Sequence, residues 1–304
     1  MEAVGPRDVV RDVLPEGLGD AIRATAREIA GVLDGVDDTS VPVPGSRWAV
    51  GESAAHLAYA NELMADLAVG RERGHGDGTP QSLAGANERA LAAFPERAAG
   101  PLAAMIVAQA DRFLAAVAES RAGAESGAAA ESGTAADGLR GGDHPAEDAV
   151  LADDAVRTPL GPMSRAVLGS YLLTHMLGHG YDLARALGRP HMVDRTRAGL
   201  CVPFLLTVMP LVADRAAAGT LTAGYAVRLW GGDSFGVVFS DGVAVTARRP
   251  PDRPDCTLLI EPVTFLLMAL GRIPTWGALA RGRVLAWGRK PWLGARFPTL
   301  FTAP

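Results

Sequence analysis

Lysine is all but absent from this 304-residue chain: Lys290 is the only one, and arginine supplies the rest of the positive charge. The net charge is −5 at pH 7 and no basic stripe stands out, so nucleic-acid binding is not expected. Cysteine is also scarce. Cys201 and Cys256 each sit in an apolar run, which excludes a disulfide framework and a CxxC metal site. Both read as small buried hydrophobes in a reducing compartment. Residues 1–20 carry Arg7, Asp8, Arg11, Asp12 and Glu16 and no apolar core, so no secretory signal is expected. The most apolar stretch, Ala198 to Ala213, is shorter than the roughly 18–20 residues of a membrane span and holds Pro203 and Pro210. It reads as a kinked core helix, in a cytoplasmic protein with no membrane partner. There is no GxSxG elbow, no P-loop and no GxGxxG.

What is present is apolar residue, 48% of the chain, in a length that suits two domains. Helical periodicity marks residues 18–34, 50–69, 83–94, 101–118 and 164–187, and a further helix is expected over 198–218. Ser164 can cap the start of the 164–187 helix and Gly188 its end, with Pro190 just beyond. Residues 120–149 are small, polar and weakly repetitive, and read as a flexible insertion between bundle helices. From about residue 220 the pattern changes to short alternating β-type runs around Gly-rich turns. Strands are expected at Tyr225–Trp230, Phe235–Phe239, Val243–Thr246, Cys256–Ile260 and Val284–Trp287, with helices from Pro262 and from Pro291. The expected fold is therefore a bundle of four long helices over 1–219, followed by a small α+β domain over 220–304.

Chemistry is concentrated in histidine. His175 and His179 are spaced i, i+4, which stacks both imidazoles on one helix face. The pair alone is ambiguous between a metal site and two polar surface groups. Its neighbours Leu172, Leu173, Met176 and Leu177 are apolar, and a histidine pair facing a bundle interior needs partners, of which a metal is one. His56, among small apolar residues, is the candidate third ligand from another helix; by itself it reads as a core histidine. Asp182 could accept a hydrogen bond from a ligand histidine or pair with Arg185. His75 and His144 lie in Gly/Asp-rich loops and read as solvated, His191 as structural, and Trp48 as a core or pocket-wall residue.

Trp48, followed after seven residues by His56-Leu57, resembles the opening motif of the DinB-like metalloenzymes, in particular the mycothiol-dependent maleylpyruvate isomerase group. The run from His175 through His179, Asp182-Leu-Ala-Arg185 and Gly188-Arg189-Pro190 resembles that group's second motif. Asp255-Cys-Thr-Leu, Leu270-Gly-Arg272 and Gly282-Arg-Val284 resemble, more weakly, the sterol-carrier-protein-like domain often fused to it. The resemblance implies a DinB-like four-helix bundle holding a divalent metal on His56, His175 and His179. Zinc is the first expectation, with iron or nickel as alternatives. It further implies mycothiol as the thiol cofactor, a small electrophilic substrate, and either isomerase or thiol S-transferase chemistry. Trp48, Arg272, Arg281 and Arg283 are candidates for the thiol or substrate entrance. The group carries Glu where this chain has His175, and three-histidine sets resemble other DinB-like branches. An all-imidazole set leaves the metal its full +2 charge, so the isomerase and transferase readings both stand. A non-heme iron enzyme and a non-catalytic protein carrying an apolar ligand are the alternatives from other classes.

Overall fold

The structure is a computed structural model that describes residues 14–134 and 155–302. Helix α1 (Leu18–Leu33) is amphipathic and buries Leu18, Ile22, Ile29 and Leu33. Helix α2 (Val50–Ala68) is buried on nearly every side, as its run of alanines and leucines requires; Glu52 caps its start by accepting from the Ala49 N–H at 2.9 Å. A short helix α3 (Pro80–Ala93) packs beside α2. Helix α4 (Ala99–Thr134) buries Leu102, Ile106, Ala110 and Phe113. After a two-stranded hairpin, β1 (Ala155–Thr158) with β2 (Gly161–Ser164), comes helix α5 (Arg165–Ala186). The Ser164 hydroxyl accepts from the Val167 N–H at 3.3 Å, and Gly188, at φ 63°, follows the helix end in the left-handed region. Helices α1 and α2 each pack against both α4 and α5, so the four long helices close a ring around one core.

Short helices α6 (Arg195–Leu200), α7 (Val202–Val208) and α8 (Arg215–Ala218) lead to a five-stranded sheet. Its strands are β3 (Ala223–Leu229), β4 (Ser234–Ser240), β5 (Val243–Ala247), β6 (Cys256–Ile260) and β7 (Val284–Trp287). Their order is β5-β4-β3-β6-β7, antiparallel except for the parallel β3–β6 pair. Helices α9 (Pro262–Ala269) and α10 (Thr275–Ala280) join β6 to β7, and α11 (Leu293–Arg296) runs into a 3₁₀ turn, Phe297–Leu300. Phe297 lies 4.9 Å from Tyr225 and Phe301 lies 5.9 Å from Phe239, ring centre to ring centre, so the C-terminal segment covers the sheet's aromatic core. The chain is thus a set of N-terminal helices followed by an α+β region, the expected fold class.

Two local expectations are corrected. Helix α4 does not stop near Ala118 but continues to Thr134, taking in the first half of the segment read as a flexible insertion; the remainder, 135–149, lies outside the described residues. Alanine and glutamate favour the helix once the apolar part has nucleated it. Residues 198–218 form three short helices rather than one kinked helix, since Pro203 removes a donor and Asp214 restarts the chain by capping Ala216 and Ala217. The β1–β2 hairpin and α10 were not foreseen, because each is too short to show a period. Among the described residues, one helical segment, Ala99–Ser120, is long and apolar enough to cross a membrane; it packs in the bundle against α1 and α2.

Helix α5 is held from two sides at very close range. A Cβ on Gly180 would lie 2.9 Å from Cγ1 of Ile29 on α1 and 2.8 Å from Sδ of Met192. A Cβ on Gly178 would lie 3.2 Å from Cδ1 of Leu270, at the end of α9. The two glycines flanking His179 therefore seat this turn of α5 between the bundle and the α+β region. Gly180→Ala should lower stability by about 1–2 kcal/mol, the overpacking cost exceeding the helix-propensity gain. Gly31→Ala on α1, where a Cβ meets nothing within 4 Å, should instead raise it by about 0.5–1 kcal/mol. Denaturant midpoints of the two variants check the opposite signs.

Candidate metal centre

His56 projects from the second turn of α2, and His175 and His179 from successive turns of α5; because α2 packs on α5, the three rings meet. The ring centre of His56 lies 5.0 Å from that of His175 and 4.9 Å from that of His179, and those two are 4.6 Å apart. Nε2 of His56 is 3.0 Å from Nε2 of His175. Each residue offers one ring nitrogen, and these all lie within 4.8 Å of one another. Two nitrogens bound to one zinc ion at roughly 2.1 Å each can be no more than about 4.2 Å apart, so small side-chain rotations close the set on an ion.

The electrostatics favour a cation. Burial pulls the His56 pKa down to about 4, with His75 adding repulsion. Burial, and then the neighbouring histidines and Arg272, hold His175 and His179 well below the ordinary histidine value. All three are neutral bases near pH 7, the state in which imidazole binds metal. Nδ1 of His175 is buried with no hydrogen-bond partner, and no carboxylate joins the cluster among the described residues. The donor set, three neutral imidazoles crowded in an apolar bundle, fits a divalent transition metal.

Trp48 stands against this cluster, its ring 4.8 Å from His56 and 6.2 Å from His179. A β-bridge between Pro42 and Ala49 holds the turn that presents it. Asp182 does not pair with Arg185. Arg272, from just beyond α9, donates to it through Nε at 3.2 Å and NH2 at 2.8 Å, while Nδ1 of His179 remains 3.8 Å from the carboxylate. Arg185 lies over the Tyr181 ring at 5.7 Å instead. Arg281 and Arg283 are not brought against the histidines. Arg281 donates to the Gly277 carbonyl and Arg283 lies 3.9 Å from Glu261. Both line a hollow whose lining does not include the three histidines.

His75 is the residue misjudged from sequence. It is partly buried, not simply solvated: Nε2 donates to Oδ1 of Asn87 at 2.8 Å, which leaves the Nδ1 lone pair facing the Tyr59 hydroxyl at 3.4 Å. It lies close enough to repel charge on His56 and His175. Tyr59, one turn beyond His56, and Asn87 on α3 hold it there, and no local sequence signal links those three positions. His191 is exposed, 5.1 Å from the Tyr181 ring, and His144 lies outside the described residues. Cys201 and Cys256 are buried free thiols; burial pushes Cys201 up to about 12 and also raises Cys256.

Among solved structures, a histidine-to-alanine mutant of the mycothiol-dependent maleylpyruvate isomerase aligns with TM-score 0.48 and 13% identity, over 90% of this chain and 93% of its own. The same isomerase without the mutation aligns with TM-score 0.42, at the same identity and coverage. A stereoselective inverting sec-alkylsulfatase from Pseudomonas sp. aligns with TM-score 0.31 and 15% identity over 46% of this chain; this chain spans about a quarter of that enzyme's length, 24%. No family model matches the sequence, and no curated protein matches it. Likenesses this distant decide neither family nor activity.

The depressed histidines carry a pH signature. In the metal-free protein the unfolded chain, with histidines titrating near 6.5, binds more protons than the folded one between about pH 6.5 and 4. Stability should therefore fall as pH drops through that window. Melting temperature against pH, measured on chelator-treated protein, should show this slope, and a His175→Gln/His179→Gln variant should flatten it. The same variant should lose stoichiometric binding of added zinc.

Proposed function

We propose that this chain is a metal-dependent enzyme that uses mycothiol, acting as a maleylpyruvate-type isomerase or as a thiol S-transferase. The observation that carries this reading is the convergence of three neutral imidazoles from two helices, one buried and two partly buried, with a ring nitrogen of His175 left unpaired. The Trp48–His56 and His175–Pro190 motifs, which resemble the mycothiol-dependent group, supply the choice of thiol. In this reading residues 1–219 hold a divalent metal on His56, His175 and His179, and residues 220–304 close over the side of α5. When bound, the metal supplies Lewis acidity and lowers the pKa of a thiol at the site.

The chain's own residues provide the setting. The thiol must come from outside, because both cysteines are buried and their thiols are held protonated. Trp48 walls the cluster beside His56 and His179 and narrows the approach of water. Asp182, fixed by the two-pronged contact with Arg272, ties the turn that carries His179 to the α+β region. The Tyr59 hydroxyl faces Nδ1 of His75 at 3.4 Å, which holds His75 beside α2. Of the arginines considered for the entrance, Arg272 alone reaches this turn of α5, through Asp182; Arg281 and Arg283 line a hollow apart from the histidines.

Calorimetry of the zinc-loaded protein against mycothiol and its S-methyl analogue tests the reading. Mycothiol should bind at least about tenfold more tightly, since only a free sulfur can be ionised at the site. Equal affinities would mean that sulfur does not reach the metal, and oxygen consumption by the iron-loaded protein would point instead to non-heme iron chemistry.

A further inference from the structure

A hollow of about 480 Å³ lies between the C-terminal end of α5 and the α9–α10 segment. Its volume is in the range that holds a small organic molecule, roughly 300–1,000 Å³. Four arginines line it: Arg185 from the bundle side, and Arg272, Arg281 and Arg283 from the other. No aspartate or glutamate does. Asp182 neutralises Arg272, and Glu261 stands 3.9 Å from Arg283. Arg185 and Arg281 have no carboxylate partner among the described residues; one lies over the Tyr181 ring and the other meets the Gly277 carbonyl. Two guanidiniums without a carboxylate partner thus line one concavity, one from α5 and one from the end of α10, and like charges sharing a hollow repel unless an anion joins them. Val263, Leu267 and Ile273 add apolar lining to the same hollow.

We propose that this hollow is a binding site for a small organic dianion, a dicarboxylate in chemical class. One acidic group pairs with Arg185 and the other with Arg281, and the carbon body lies on the apolar lining. Planar guanidinium forks suit carboxylates. The site is separate from the three histidines and does not depend on the metal reading. Its occupancy would bridge the bundle and the α+β region next to the Asp182–Arg272 contact, which ends one turn of helix from His179.

Titration calorimetry of the full chain with phthalate tests this, alongside dimethyl phthalate and inorganic phosphate. Phthalate should bind saturably, the uncharged diester should not bind, and phosphate should bind at least about tenfold more weakly because it lacks the apolar body. Arg185→Gln and Arg281→Gln should each weaken phthalate binding about fivefold or more, since each removes a charge-assisted contact from an exposed side chain. Arg248→Gln, on the exposed loop after β5, should change nothing. The His175→Gln/His179→Gln variant should bind phthalate as the unsubstituted protein does, whether or not it binds metal. No phthalate binding at about 10 mM, or binding indifferent to both arginine variants, would overturn the site. Phosphate binding as tight as phthalate would overturn the assignment to an organic dianion, and loss of binding in the histidine variant would overturn its separateness from the metal centre.

Discussion

Three imidazoles sit together inside an apolar bundle with no carboxylate among them, and this constraint organises the rest. Burial removes water, and each ring would repel a proton on the next, so all three stay neutral far below the ordinary histidine range. Neutral rings so crowded share too few protons to satisfy one another; the 3.0 Å contact between His56 and His175 leaves Nδ1 of His175 without a partner. A divalent cation would resolve the conflict, because it accepts several lone pairs at once and needs no proton from any of them. The nearest carboxylate on the same helix, Asp182, is drawn away from His179 by Arg272, so the donor set remains all imidazole.

Helix α5 is where that constraint meets the fold. Its glycines admit Ile29 and Met192 on one side and Leu270 on another, at distances that an added Cβ would crowd. Its Ser170 hydroxyl donates to the Leu200 carbonyl at 2.7 Å and accepts from the Phe204 N–H at 3.2 Å, which pins the broken α6–α7 segment along it. The side chain of Thr246 on β5 in turn holds the Leu206 carbonyl at 2.7 Å. The position of His175 and His179 therefore depends on packing from the bundle and from the α+β region together. Substitutions far from the histidines in sequence, at Leu270 or Ile29, would be felt at the cluster.

Much of this was legible along the chain. Periodicity located α1, α2 and α5 within a residue or two, because each is long and presses leucines and isoleucines toward one core. The alternating runs after residue 220 located the five strands for the same reason. The i, i+4 spacing placed His175 and His179 on one face without any knowledge of the fold. Weak or short signals failed. The alanine-rich extension of α4 lacks the large apolar residues on which periodicity depends, and the β1–β2 hairpin contributes only four residues per strand.

The sequence by itself determined where the long helices and the strands of the sheet run, which faces are apolar, and that two histidines must share a helix face, since these follow from backbone geometry and residue type over a few neighbouring positions. Only the tertiary structure decided what lies across the gaps between elements. It set His56 against His175, 119 residues away, took Asp182 from Arg185 and joined it to Arg272, and drew His75 in from its loop through Tyr59 and Asn87. It also brought Arg185 and Arg281 to one hollow. Those pairings are set by how helices cross and where the sheet docks. Such choices depend on the summed packing of many side chains rather than on any local pattern, so no window of sequence contains them.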